Sequence, residues 1–196
     1  MAHLSTMEKL GMTAPRFNLT NFNPREKTET VSLENFKEYP ALLVAFICNH
    51  CPYVIHIRDS FIDFVSEFNK KGLGVVAINS NDISSYPEDS PQKMHDDSKK
   101  YAYSFPYLFD ETQDIAKAYK AACTPDFFLY NNKRELAYRG QYDSSRPKND
   151  IPVTGEDLRI AAIEVIGGKS VTIKQKPSMG CNIKWGKGKE PDYFEF

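Results

Sequence analysis

Apolar and polar positions divide the chain into segments with different periods. Residues Ala41-Leu-Leu-Val-Ala-Phe-Ile47 form an apolar run without alternation, the pattern of a strand buried on both faces. After Pro52 the spacing changes. Val54, Ile57, Phe61, Phe64, Val65 and Phe68 recur at intervals of three and four, which predicts an amphipathic helix. Lys70, Lys71 and Gly72 then supply a basic last turn and a stop. A second buried strand follows at Gly74–Asn79, so strand, helix and strand predict a right-handed parallel crossover unit.

Further along, Ser90-Pro91 has the form of an N-cap followed by a proline at the first helical position. Tyr107–Phe109 reads as a short strand and Thr112–Ala121 as a helix. Asp126–Tyr130 and Glu135–Arg139 flank Asn131-Asn132, a hairpin signal because Asn tolerates positive φ. A helix over 155–167, carrying Leu158, Ile160, Ala161, Ile163 and Val165, closes the domain. The expected fold class is α/β, with a mixed central sheet and helices on both faces.

Residues 168–196 are rich in Lys, Gly and Pro, yet they hold Trp185, Cys181, Tyr193, Phe194 and Phe196. A solvated tail is normally poor in aromatics. The expected organisation is therefore a domain over 1–167 with a C-terminal extension, 168–196, packed back on it.

Length and charge narrow the function classes. The 196 residues suit one domain with a sizeable core, and hydrophobic (41%) and charged (26%) fractions are those of a globular protein. A net charge of -1 gives no electrostatic case for nucleic acid or an anionic membrane. The longest apolar run is too short to span a bilayer. The N-terminal residues lack the apolar stretch of about 7–15 residues that marks a secretory signal, so the expected location is cytoplasmic. Four cysteines do not make a disulfide scaffold, and in a reducing compartment a close pair points to catalysis or metal binding.

That pair is Cys48 and Cys51, in FICNHCPYV. Pro52 places Cys51 at the N-cap of the helix, facing unpaired backbone donors and the positive end of the helix dipole. Such a setting lowers a thiol pKa from about 8.5 to roughly 3.5–7.5, which makes Cys51 the candidate nucleophile. Cys48 is close enough in sequence to form a disulfide with it. His50 lies between them, where an imidazole can polarise a thiol or bind a metal. His56, on the helix, is expected to face solvent or a core edge. The stretch DISSYPEDSPQKM reads as a surface loop. Thr124-Pro125 precedes a strand, and the base rate for X–Pro bonds favours the trans peptide.

Phe46 with Cys51 five residues on, Pro52 opening a helix, and Thr124-Pro125 before a strand resemble the thioredoxin fold. MTAPRFNLTNF, VSLENF and LFDETQDIAKAY resemble the redoxin branch that includes the AhpC/TSA-type peroxiredoxins. FICNHCPYV, CTPDFFLY, YRGQYDSSRP and PSMGCNIKW resemble a peroxiredoxin-like group within it, across nearly the whole chain. The resemblance implies that Pro125 approaches the active-site turn, bringing Cys123 and Thr124 with it, and that Cys181 can fold back as a resolving thiol. It also implies departures. Registered on Phe46 and Pro52, Cys51 matches the first Cys of thioredoxin C-x-x-C, and Val54 stands where the second is. Against the peroxiredoxin motif, Cys48 replaces the Thr and Val44 the Pro; an activating Arg would be Arg139 or Arg146.

The leading expectation is a thiol–disulfide oxidoreductase or peroxiredoxin-like antioxidant protein. Cys51 attacks a peroxide or disulfide, Cys48 or else Cys123 or Cys181 resolves the product, and a dithiol protein or small thiol returns the electrons. No organic cofactor is required. A second reading is a Cu(I)- or Zn-binding delivery module using Cys48, Cys51 and His50, with or without Cys123 or Cys181. A third is a partner-binding relative whose chemistry has lapsed.

Overall fold

The computed structural model describes residues 2–194, so Phe196 lies outside the described residues. Its strands are β1 (Ala2–Leu4), β2 (Asn18–Thr20), β3 (Thr30–Ser32), β4 (Ala41–Phe46), β5 (Leu73–Asn79), β6 (Tyr107–Phe109), β7 (Cys123–Thr124), β8 (Asp126–Tyr130), β9 (Leu136–Gly140) and β10 (Met179–Asn182). Its helices are α1 (Pro52–Asn69), α2 (Pro91–Lys100), α3 (Asp114–Tyr119) and α4 (Glu156–Ile166). The central sheet has the order β6-β5-β4-β8-β9. β4 and β5 pair in parallel, as do β5 and β6, whereas β8 runs antiparallel to both β4 and β9. This is the mixed α/β architecture that the sequence predicts.

Strand β4 lies at the centre of two cores. Ala41, Leu43, Ala45 and Ile47 face a cluster built with α1 and α4. Leu42, Val44 and Phe46 face a second cluster with Ala116 and Tyr119 of α3. The six residues that the spacing assigns to the apolar face of α1, Val54, Ile57, Phe61, Phe64, Val65 and Phe68, are all buried. Each contributes roughly 1.5–3 kcal/mol relative to exposure, which holds the helix, and Cys51 at its start, against the sheet.

Local chemistry altered several boundaries. α1 ends at Asn69, so Lys70 and Lys71 follow the helix, and Gly72 takes the left-handed φ of 99°. Gly72 fits there because it has no Cβ to clash. α3 is shorter than the expected 112–121, because Gln113 and Lys120 at its flanks are both left-handed. The β8–β9 connection spans five residues, and its positive-φ residue is Arg134 in place of either Asn. Asn131 still shapes the turn: its Oδ1 accepts the backbone N–H groups of Lys133 and Glu135, at 2.9 and 3.0 Å. Along α4, Leu158, Ala161, Ala162 and Val165 are buried and Ile163 is exposed.

A second, three-stranded sheet has the order β1-β10-β7 and is antiparallel throughout. Beyond β10, Ile183 and Trp185 join the α3 side of the core. The Tyr193 hydroxyl donates to Ala121 O at 3.2 Å. Among the described residues no helix is long and apolar enough to cross a membrane.

Candidate active site

Three elements meet at the N-terminus of α1. Cys51 is its N-cap, with extended backbone (φ −66°, ψ 122°) and Pro52 beginning the helix. From the opposite side comes the junction of β7 and β8, where the Thr124–Pro125 peptide is cis, the reverse of the base-rate expectation. The protonated Cys51 thiol donates to the Thr124 carbonyl at 3.0 Å. Cys48 Sγ and Thr124 Oγ1 lie 3.4 Å apart. The third element is β10, in which Cys181 pairs with Thr124 and Asn182 with Cys123. A Cβ at Gly180 would lie 2.0 Å from Thr124 O, so the close approach of β10 to this junction requires glycine.

The thiols of Cys48 and Cys181 both come within hydrogen-bonding reach of the Cys51 sulfur. Their combined donation, from Cys181 first and Cys48 second, holds the Cys51 pKa well below the ordinary thiol value. Burial opposes this, and the Thr124 side chain and Val54 N–H assist it. The helix N-terminus lowers the pKa through Val54 N–H, but the largest contribution comes from a thiol 130 residues away in sequence. Donation costs the two donors in turn. Burial, then the bond to Cys51, raises the Cys48 pKa, and the bond to Cys51, then burial, raises that of Cys181.

Access differs sharply among the thiols. Cys51 is 0% exposed and Cys48 2%, while Cys181 is partly exposed. Cys123 is buried, and its Sγ faces Pro125 O at 3.6 Å. Burial raises its pKa. The structure thus brings together Cys51, Cys48, Cys181, Thr124 and Pro125, and leaves Cys123 beneath the junction with its thiol turned to backbone carbonyls.

His50 lies on the exposed side of the loop. Its Nδ1 is 2.7 Å from Asp89 Oδ2, outside the angular range of an aligned hydrogen bond, and its ring stacks on Tyr86 at 5.5 Å. The hydrogen-bonding charge of Asp89 raises the His50 pKa against partial burial. Asp89 belongs to the DISSYPEDSPQKM segment that reads as a surface loop, yet it is fully buried. Its Oδ1 accepts Asn49 N–H at 2.9 Å and its Oδ2 the Asn81 side-chain amide at 2.7 Å. Sequence periodicity carries no sign of this, because one inward carboxylate in a polar run does not alter the pattern. Gly180 did leave a sign: a glycine inside a short strand, next to a cysteine, marks close backbone approach.

Neither candidate arginine is free for chemistry. Arg139 is fully buried, pairs through both Nη atoms with Asp126, and lies 3.7 Å from the Phe128 ring centroid. Arg146 donates to the carbonyls of Asp143 and Ser145, each at 2.7 Å. His56 lies half-buried at a core edge, as the sequence suggests, with its Nε2 2.7 Å from Ser145 Oγ.

The AhpC/TSA family matches residues 10–139, two thirds of the sequence. The chain belongs to the AhpC/TSA family. It is a redoxin, and its family is one of thioredoxin-fold redox proteins. Two solved structures resemble it along almost their whole length. A hypothetical protein of Sinorhizobium meliloti is 48% identical, with a TM-score of 0.90 over 94% of this chain and 99% of its own. An uncharacterized conserved protein of Geobacillus kaustophilus is also 48% identical, with a TM-score of 0.91 over 95% and 97%. The thioredoxin domain of a thiol-disulfide oxidoreductase from Bacteroides vulgatus shares the fold, at a TM-score of 0.54 and 16% identity, over 68% of this chain and 91% of its own. Comparison with curated proteins returns no match.

Proposed function

We propose that this redoxin is a cytoplasmic thiol-dependent oxidoreductase in which Cys51 is the nucleophile and Cys181 the resolving thiol. The observation that carries this reading is the convergence of Cys48 and Cys181 on Thr124, whose carbonyl holds the buried, helix-capping Cys51 thiol, with only Cys181 of the two reaching solvent. With a peroxide, the Cys51 thiolate attacks the distal oxygen, the O–O bond breaks, and a sulfenic acid and an alcohol or water result. The Cys181 thiol then displaces hydroxide from Cys51, which leaves as water, and a Cys51–Cys181 disulfide forms. With a small disulfide, a mixed disulfide takes the place of the sulfenic acid. A dithiol partner, or two small thiols, attacks the outer sulfur, Cys181, and returns both thiols to the reduced state. Complete burial of Cys51 favours small oxidants over folded protein disulfides.

The test is to oxidise the reduced protein with one equivalent of hydrogen peroxide or a small disulfide, then map the products by peptide mass spectrometry. A Cys51–Cys181 disulfide is expected, with Cys181→Ser accumulating the sulfenic acid or mixed disulfide at Cys51. Full turnover in Cys51→Ser would sink the assignment. A Cys48–Cys51 disulfide would transfer the resolving role to Cys48.

A further inference from the structure

One cluster at the edge of the thiol site reaches beyond that cycle, which draws on it only through Cys48. Cys48 Sγ, a ring nitrogen of His50 and a carboxylate oxygen of Asp89 all lie within 4.8 Å of one another. They come from two loops, one after β4 and one before α2, so this is a tertiary arrangement. The carboxylate is held by Asn49 N–H on Oδ1 and by the Asn81 amide on Oδ2. The His50 ring is fixed by stacking on Tyr86. Hydrogen bonds that orient ligand groups from outside are what a metal site needs from its surroundings.

The relation between His50 and Asp89 is the second observation. Nδ1 is shielded from solvent and only 2.7 Å from a carboxylate oxygen, yet the two do not align as donor and acceptor. Protonated, this nitrogen is a salt-bridge partner of the carboxylate without an aligned hydrogen bond; neutral, its lone pair faces an anion. The conflict disappears if the nitrogen lone pair and the carboxylate converge on a cation between them.

We propose that Cys48, His50 and Asp89 form a binding site for one divalent zinc ion, with a fourth position left open. A thiolate, an imidazole and a carboxylate together suit a borderline cation, whereas the carboxylate disfavours Cu(I). Zinc with ligand distances of about 2.0–2.3 Å holds tetrahedral donors roughly 3.3–3.8 Å apart. Pairs within 4.8 Å can close on it, and the His50–Asp89 pair opens by about 0.6 Å. His50 can supply that movement, since its side chain keeps 27% of its exposure while Asp89 has none. Binding displaces to solvent the proton of the Cys48 thiol and any proton on the coordinating His50 nitrogen, and changes no oxidation state. The metal would then occupy Cys48 and withdraw its donation from Cys51, leaving Cys51 with its first donor, Cys181, so the site goes beyond the thiol chemistry without requiring it.

The experiment is a titration of the reduced full chain with zinc against a chromophoric chelator, repeated with Co(II) to read the thiolate-to-cobalt charge-transfer band. One equivalent and a charge-transfer band are expected in the wild type, in Cys51→Ser and in Cys181→Ser. Cys48→Ser should abolish the band, and His50→Gln and Asp89→Asn should weaken binding. Asn81→Ala, which removes the amide on Oδ2, should weaken it about 10–100-fold. Circular dichroism checks that Asp89→Asn folds; where it does not, His50→Gln at the partly exposed ring carries the comparison. Failure of the wild type to bind would overturn the site, as would loss of binding in Cys51→Ser with retention in His50→Gln. Because Cys51→Ser is expected to lose oxidation chemistry and keep zinc, failure of one proposal is distinguishable from failure of the other.

Discussion

Replacement of Gly180 by alanine tests whether the C-terminal strand sets the reactivity of Cys51. The new Cβ would meet Thr124 O at 2.0 Å, Thr124 C at 2.5 Å and Pro125 N at 3.0 Å, all of them backbone atoms that no rotamer change can clear. Ordinary contact begins near 3.4 Å, so β10 must withdraw by about 1.4 Å at this point. That distance is enough to break its pairing with β7 at Cys181–Thr124 and Asn182–Cys123. Overpacking of this kind costs about 1–3 kcal/mol, and each lost hydrogen bond roughly 0.5–1.5 kcal/mol. The sum, about 2–6 kcal/mol, is comparable to the whole stability of a domain, so detachment of β10 alone is the cheaper response. Cys181 then leaves Cys51, and the largest influence lowering the Cys51 pKa goes with it. The variant should show the Cys51 pKa displaced upward toward the ordinary thiol value near 8.5. The assay is ultraviolet thiolate absorbance against pH on the reduced protein, with Cys51 identified by pH-dependent alkylation and peptide mass spectrometry. Gly186→Ala is the control, since its Cβ meets only the flexible Lys189 side chain at 3.3 Å and the Gln113 side chain at 3.5 Å within ordinary reach. A Gly180→Ala protein with the wild-type Cys51 titration and melting temperature would refute the argument.

Two other outcomes follow from the same geometry. Arg139→Leu leaves Asp126 buried without its guanidinium partner, and should cost about 3–5 kcal/mol in denaturant unfolding; a loss below 1 kcal/mol would mean that Asp126 is not held charged by Arg139. The pKa of Cys51 is lowered on folding from its ordinary value of about 8.5, so below that value the unfolded chain binds more protons there. Its contribution to stability is complete above pH 9 and is lost as pH falls through the folded pKa, by at most about 1.4 kcal/mol per pH unit. The raised pKa of His50 runs the other way, its contribution being present below pH 6.5 and lost as pH rises through the folded value. Urea unfolding of wild type and Cys51→Ser from pH 6 to 8 separates them, because the upward slope should flatten in the variant; equal slopes would show that Cys51 is not ionised in the folded state.

The features legible in the chain alone are local and periodic. The apolar run of β4 had to be a buried strand, the three-four spacing after Pro52 had to be a helix on its neighbour, and proline at the first helical position put Cys51 at the cap. These signals survive because each is written within one turn or one strand, where side-chain period and backbone geometry correspond directly. The resemblance to redoxins likewise rested on short stretches, and the AhpC/TSA match over residues 10–139 bears it out. The tertiary structure decided which distant groups meet. Whether Thr124–Pro125 is cis, whether Asp89 turns inward, and whether Arg139 serves Cys51 or Asp126 are settled by neighbours many residues away, which a residue's own environment in sequence does not encode. The pairing of Cys181 with Thr124 is the clearest instance. A helix cap alone would lower the Cys51 pKa, but its strongest donor arrives only when the last strand closes a sheet between the first strand and the cis-proline junction.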